Sequence, residues 1–306
     1  SESTGPEGYQ ASTWNCIGVQ NTGNQITLKV GERAICTIVN TDVAPTITLN
    51  KHVTNNNGGL AGINDFGLTI GTTSVTSGQK LAVNSNTPIA LNEAGLAGYN
   101  FVSITGEGCP AQLGGAVTLQ PGQDITCTIN NDDVAPSLTL TKYVTNDNNG
   151  VASASDWTVT ATGATTISGQ GTVSSNSTFS AGTYTLSESN NISGYVAGTW
   201  SCTGVQNTGN QITLGLGQSA TCSITNNDVA PSLTLVKSVI NDNGGRANAS
   251  DWTVTATGPS TISGQGTATS NSSFLAGTYT LSESNGISGY TAGNWNCIGV
   301  QNTGNQ

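Results

Sequence analysis

The chain has 306 residues, a net charge of −10 and only seven lysines and arginines, which form no patch. That balance excludes nucleic acid and an anionic membrane surface as partners. No apolar run approaches the ~18 residues that would insert into a bilayer, and the single histidine, His52, leaves no Ser/His/Asp set.

Gly, Ser, Thr and Asn dominate, and no helical apolar period lasts more than a turn or two. Val, Ile, Thr and Trp instead alternate with polar residues throughout, which predicts an all-β chain. A fixed repeat sets its organisation. Val-Ala-Pro begins at Val43, Val134 and Val229, each time inside a phrase such as TCSITNNDVAPSLTLVK at 221–237. Residues 1–45 read as the C-terminal half of a module, 46–136 as a complete but divergent module, 137–231 as a complete module, and 232–306 as the N-terminal part of another. The segment 282–306 nearly repeats residues 1–25. With no signal peptide and no methionine, the chain reads as a window cut from a long secreted tandem array.

Within 137–231 the expected strands are SLTLTKYV, DWTVTATG, STFSAGTYTLSES, YVAGTWSCTGV, NQITLGLGQ and ATCSITNND, with a Gly/Ser-rich connection after the second. About seven short strands per module predict an immunoglobulin-like or prealbumin-like Greek-key sandwich. The cysteines fall in pairs at similar offsets, Cys16 with Cys36, Cys109 with Cys127 and Cys202 with Cys222. They predict one disulfide per module in an oxidising compartment. Cys297 aligns with the first member of a pair whose partner would lie past Gln306.

Side chains two apart on a strand share a face. Leu138, Leu140 and Lys142 therefore point the same way, as do Ile47, Leu49 and Lys51, and Leu233, Leu235 and Lys237. A glutamate follows the same inward register on a middle strand: Leu91 with Glu93, Leu186 with Glu188, Leu281 with Glu283, and Glu2 in the leading half module. An asparagine closes the last strand: Cys36, Ile38 and Asn40, then Cys127, Ile129 and Asn131, then Cys222, Ile224 and Asn226. One amine, one acid and one carboxamide per module face inward, where a lone ammonium is costly.

The pattern resembles the B-type repeats of bacterial collagen-binding adhesins and the related SpaA-type pilin domains, which share a prealbumin-like fold. In that family a first-strand lysine joins a last-strand asparagine through an isopeptide bond, assisted by a glutamate before a Pro-x-Gly-Tyr turn. Glu2 to Tyr9 fits that turn best; Gly98-Tyr99, Gly194-Tyr195 and Gly289-Tyr290 keep Gly-Tyr without the proline. The resemblance implies isopeptide bonds Lys51–Asn131 and Lys142–Asn226, assisted by Glu93 and Glu188. Lys237 would find its partner beyond the chain end or in another copy, and Asn40 before the chain start or in another copy. Burial lowers an amine's pKa and raises a carboxyl's, so a neutral amine can attack the carboxamide while the glutamate hydrogen-bonds the amide oxygen and moves the proton. The same residues also fit a buried ion pair with a hydrogen-bonded asparagine and no covalent link.

Asx-rich runs flank each joint. Asp133, Asp147, Asp228 and Asp242 would meet at one pole if first and last strands run parallel, and could bind calcium there; the same residues are also ordinary turn formers. No other cofactor is expected. Trp157 and Trp252, after Ser-Asp, and Trp14, Trp200 and Trp295, beside cysteine, are expected in the core. Asn176-Ser177-Thr178 and Asn271-Ser272-Ser273 are sequons.

Three functions fit. One is a structural, non-enzymatic stalk or extracellular filament whose partners are neighbouring repeats or copies. Another is an adhesin binding a host or matrix ligand, with 46–136 the place to look. The last is end-to-end assembly by strand exchange, with residues 26–40 supplied to another copy.

Overall fold

Strands form where apolar residues alternate, and turns where Asn, Asp and Gly gather. The computed structural model describes every residue except Asn190, Asn285, Asn302, Asn305 and Gln306. The chain forms two compact units, Ser1–Pro136 with Ser177–Gly182 and Gly215–Gln218, and Ser137–Asn176 with Thr183–Leu214 and the residues from Ser219 onward.

In the first unit two four-stranded sheets face one another. One has the order Lys80–Ala82, Thr46–Thr54, Asp124–Asp133, Tyr99–Thr105; the other has Ala116–Val117, Ile89–Glu93, Leu68–Ile70, Thr73–Val75. The two long central strands run parallel, with Leu49 opposite Cys127, Lys51 opposite Ile129 and Val53 opposite Asn131. Alternation along them buries Ile47, Leu49, Ile125, Cys127 and Ile129 against Leu68, Ile70 and Leu91 of the other sheet. The leading residues add short antiparallel pairs, Tyr9–Ala11 with Asn40–Asp42 and Asn15–Ile17 with Ile35–Thr37.

The second unit repeats this sandwich. Ser137–Thr145 lies parallel to Ser219–Asp228, flanked by Thr172–Ser174 on one side and by Tyr195–Ala197 and Ser201–Thr203 on the other. The second sheet runs Ile167–Gln170, Thr158–Thr162, Gly182–Ser189, Gln211–Leu214, Asn207–Thr208. Further on, Thr234–Val236 pairs with Thr267–Thr269, and Thr253–Thr257 lies between Thr261–Gln265 and Thr280–Glu283. Leu235, Val254, Ala256, Ala268 and Leu281 form the core there.

Three expectations change in detail. The expected strand STFSAGTYTLSES begins only at Gly182, and residues 177–181 form a loop. The Gly/Ser-rich connection after Thr162 carries two strands, Ile167–Gln170 and Thr172–Ser174, hinged at Gly171 in the left-handed region. They are polar edge strands, held by pairing to Thr158–Ala161 and Thr139–Thr141 rather than by a buried face. The segment YVAGTWSCTGV is two short strands, because the chain leaves the ladder at Gly198 and rejoins it at Ser201.

All three disulfides form. Cys16 and Cys36 are directly opposed on paired strands, as are Cys202 and Cys222, whereas Cys109 reaches Cys127 from a loop. Cys297 is free and half-buried. No helix among the described residues is long and apolar enough to cross a membrane.

Candidate functional site

The inward register of the three polar residues is what builds the site. Lys51 and Asn131 come from the adjacent parallel strands, one two-residue step apart along the ladder, and Glu93 comes from the facing sheet. Lys51 Nζ lies 3.0 Å from Glu93 Oε2, and Asn131 Nδ2 donates to Glu93 Oε1 at 2.5 Å. The lysine and glutamate side chains are 0% and 1% exposed. Lys51 Nζ also donates to the Ile129 carbonyl at 3.4 Å.

The second unit holds the same arrangement. Lys142 Nζ donates to Glu188 Oε2 at 2.6 Å, and Asn226 Nδ2 donates to Glu188 Oε1 at 2.9 Å. One carboxylate thus holds the amine on one oxygen and the carboxamide on the other, in both places. The amide oxygens Asn131 Oδ1 and Asn226 Oδ1 are buried and accept no hydrogen bond. It is therefore the amide nitrogen, not the oxygen, that faces the glutamate.

Burial pushes the Lys51 amine below the ordinary lysine value, and the hydrogen bond and charge of Glu93 offset this only in part. Lys142 behaves alike beside Glu188. Desolvation is the winning effect at both.

The other two stretches carry parts of the set. Lys237 Nζ donates to Glu283 Oε2 at 2.5 Å. Asn40 Nδ2 donates to Glu2 Oε1 on an exposed surface.

Sequence reasoning missed the floor of each site. Lys51, Lys142 and Lys237 stand over the rings of Phe66, Trp157 and Trp252, at 4.3, 4.9 and 4.8 Å from the ring centroids. A cation over an aromatic face is attracted by its quadrupole. Each ring follows a one-turn 3-10 helix, Ile63–Asp65, Ala154–Asp156 or Ala249–Asp251, closed by an aspartate that accepts the N–H of Gly62, Ser153 or Asn248. The signal was in the sequence: the ring stands fifteen residues after the lysine every time. The Gly-Tyr tyrosines pack edge-on against the same rings, Tyr99 on Phe66, Tyr195 on Trp157 and Tyr290 on Trp252.

Of the aspartates expected to gather calcium, Asp133 and Asp228 face main-chain N–H groups, and Asp147 lies within hydrogen-bond reach of Asp228. Asp133 accepts the main-chain N–H groups of Asn56, Asn57 and Gly59, and Asp228 those of Asn148 and Gly150. Burial raises the Asp228 pKa, but these N–H donors outweigh it and hold the carboxyl below its usual range. Carboxylates that accept these N–H groups act as turn caps. Asp147 and Asp242 are exposed. Among the described residues no group of three His, Cys, Asp or Glu is placed to hold a metal.

A sequence profile of the SpaA-type prealbumin-like fold domain matches residues 1–38, 42–129, 133–224 and 228–306. No curated protein matches the chain. Among solved structures, the Bacillus anthracis TIE protein is 14% identical with a TM-score of 0.49, over 86% of this chain and 49% of that one. The chain thus spans about half the length of that protein. The C-terminal fragment of the pilus adhesin SpaC from Lactobacillus rhamnosus GG is 17% identical (TM-score 0.34; 61% of this chain, 98% of that one). The major pilin of Streptococcus pyogenes is 14% identical (TM-score 0.26; 61% and 99%).

Proposed function

The chain belongs to the SpaA-type prealbumin-like domain family, and on that premise we propose that it is a structural segment of a bacterial surface stalk or filament, locked by Lys51–Asn131 and Lys142–Asn226 isopeptide bonds. The observation that supports this most is the shared carboxylate, ion-paired with an amine on one oxygen and accepting a carboxamide N–H on the other, in two separate buried pockets. Three disulfides fit an oxidising, extracellular setting. Its partners are neighbouring repeats and copies of itself.

The chemistry follows from the positions of the protons. Burial favours the neutral amine, which is the nucleophile. Lys Nζ attacks the asparagine Cγ, and its proton passes to glutamate Oε2. The glutamate returns that proton to Nδ2 of the tetrahedral adduct, the Cγ–Nδ2 bond breaks and ammonia leaves. The product is an Nζ–Cγ amide, and the glutamate ends as it began. Each site turns over once and acts on its own fold, so the protein is structural and not an enzyme.

Intact mass of the reduced chain tests this. Loss of two ammonia molecules, mapped to cross-linked peptides containing Lys51 with Asn131 and Lys142 with Asn226, is the expected result. An unchanged mass overturns it and leaves buried ion pairs.

A further inference from the structure

The Asn/Gly turn that follows the first strand of each repeat contains a buried amide. In the second unit Asn148 Nδ2 donates to the main-chain oxygens of Ser272 and Phe274 at 3.2 and 3.3 Å, while its own carbonyl accepts Ala276 N–H at 2.9 Å. In the first unit Asn57 Nδ2 donates to Ser177 and Phe179 oxygens at 2.9 and 3.0 Å, and its carbonyl accepts Ala181 N–H at 2.7 Å. The loop read is the same in both, Ser-x-Phe-x-Ala. A primary amide has two N–H donors, and two carbonyls use both; an aspartate could offer none.

Each turn is shaped in advance for this contact. A left-handed residue follows the amide, Gly58 at φ +90° or Asn149 at φ +69°. At Gly58 a side chain would run into the carbonyl of Ala181. The aspartate cap described above fixes the turn from below, and Tyr99 or Tyr195 ties its first asparagine, Asn55 or Asn146, through the phenol oxygen.

The turn at 241–245 is built alike. Gly244 has φ +83°, Tyr290 donates to Asn241 Oδ1 at 2.5 Å, and Ala247 N–H reaches the same phenol at 3.0 Å. Yet Asn243 is exposed, and its Nδ2 donates to its neighbour Asp242 at 2.9 Å. Both Ser-x-Phe-x-Ala loops of this chain are already engaged, so a second copy offers no free one. The divergent repeat has only residues 84–88 between Val83 and Ile89, and they contain no phenylalanine.

We propose that the turn at 241–245 is a docking site for a further repeat that carries a Ser-x-Phe-x-Ala loop, with Asn243 as the reading amide. The match between amide and loop then governs which repeat can follow which: the 137–231 type can be received, and the 46–136 type cannot. This holds whether or not the Lys–Asn bonds form.

The test uses a reaction that needs a freely rotating asparagine. Asn57-Gly58 and Asn243-Gly244 share the dipeptide in which the glycine nitrogen closes on the asparagine Cγ, ammonia departs, and water opens the succinimide to aspartate or isoaspartate. In the full chain, held in mildly alkaline buffer and mapped by peptide mass spectrometry, Asn243 converts about tenfold or more faster than Asn57, where reaction awaits local opening. Equal rates overturn the reading. The chain is then lengthened at its C-terminal end by a copy of residues 212–231, followed by a copy of either 137–231 or 46–136. Asn243 slows to the Asn57 rate with the first extension and stays fast with the second; slowing in both, or in neither, overturns the proposal.

Discussion

The sandwiches of the first and second units hold the same three residues with different supports. Glu93 is buried to the last few per cent, while the Glu188 side chain remains 14% exposed. The ring beneath the lysine is Phe66 in one and Trp157 in the other. One disulfide springs from a loop and the other staples directly opposed strands. The spacing of glutamate to asparagine is nevertheless 38 residues in both, and in Glu2–Asn40 as well. The lesson is that the geometry of acid and carboxamide is held constant while the packing around it varies.

The comparison can be broken most sharply at the glutamates. Glu93→Ala and Glu188→Ala should each abolish the loss of ammonia at their own site alone. Each also leaves a buried lysine without its partner, at about 3–5 kcal/mol, with Glu93→Ala the worse because its pocket is drier. Hydrogen exchange resolved by repeat reads both effects; equal losses would make the difference in exposure irrelevant. Next come the disulfides. Replacing Cys202 and Cys222, or Cys109 and Cys127, by serine should cost about 3 kcal/mol each, since the closed loops are of similar length. A much smaller loss at Cys109–Cys127, in denaturant unfolding, would show that a loop-borne staple constrains less.

Exchanging the rings is gentler. Trp157→Phe leaves a void worth about 1–2 kcal/mol, and Phe66→Trp overpacks the drier pocket by about 1–3 kcal/mol. If both are neutral, the ring is a spectator. The smallest effect is on pH dependence. In Asn226→Ala no bond can form, and the free Lys142 amine titrates below its unfolded value of 10.5. Between those two values the unfolded chain binds the extra proton, so raising the pH through that window should increase stability. A flat or falling urea midpoint there would mean that Glu188 keeps the amine charged.

Much of this was legible in the sequence, because the long strands alternate strictly. Lys142, Glu188 and Asn226 could be set on inner faces from that alone, and the cysteine offsets gave the three disulfides. Trp157 and Trp252 were expected in the core and lie there, but their place under the lysines was not read, because each ring enters from a 3-10 turn outside the two-residue period of the strands. The strands Ile167–Gln170 and Thr172–Ser174 were missed because they bury little and exist by hydrogen bonding to neighbours. Asn57 and Asn148 lie in Asn/Gly turns, yet tertiary contacts bury them, which no local pattern signals.

The parallel pairing of first and last strands has a mechanical consequence. Tension applied at the two ends of the 46–136 repeat enters at Thr46 and leaves past Asp133, so it slides the two strands lengthwise against each other. The rungs between them are then loaded together instead of parting one at a time. Once Lys51 and Asn131 are joined, the pull runs from Thr46 to Lys51, across the new amide and out through Asp133. Nearly eighty residues between those two anchors carry no load, and the sandwich need not unfold for the strand of protein to stay taut.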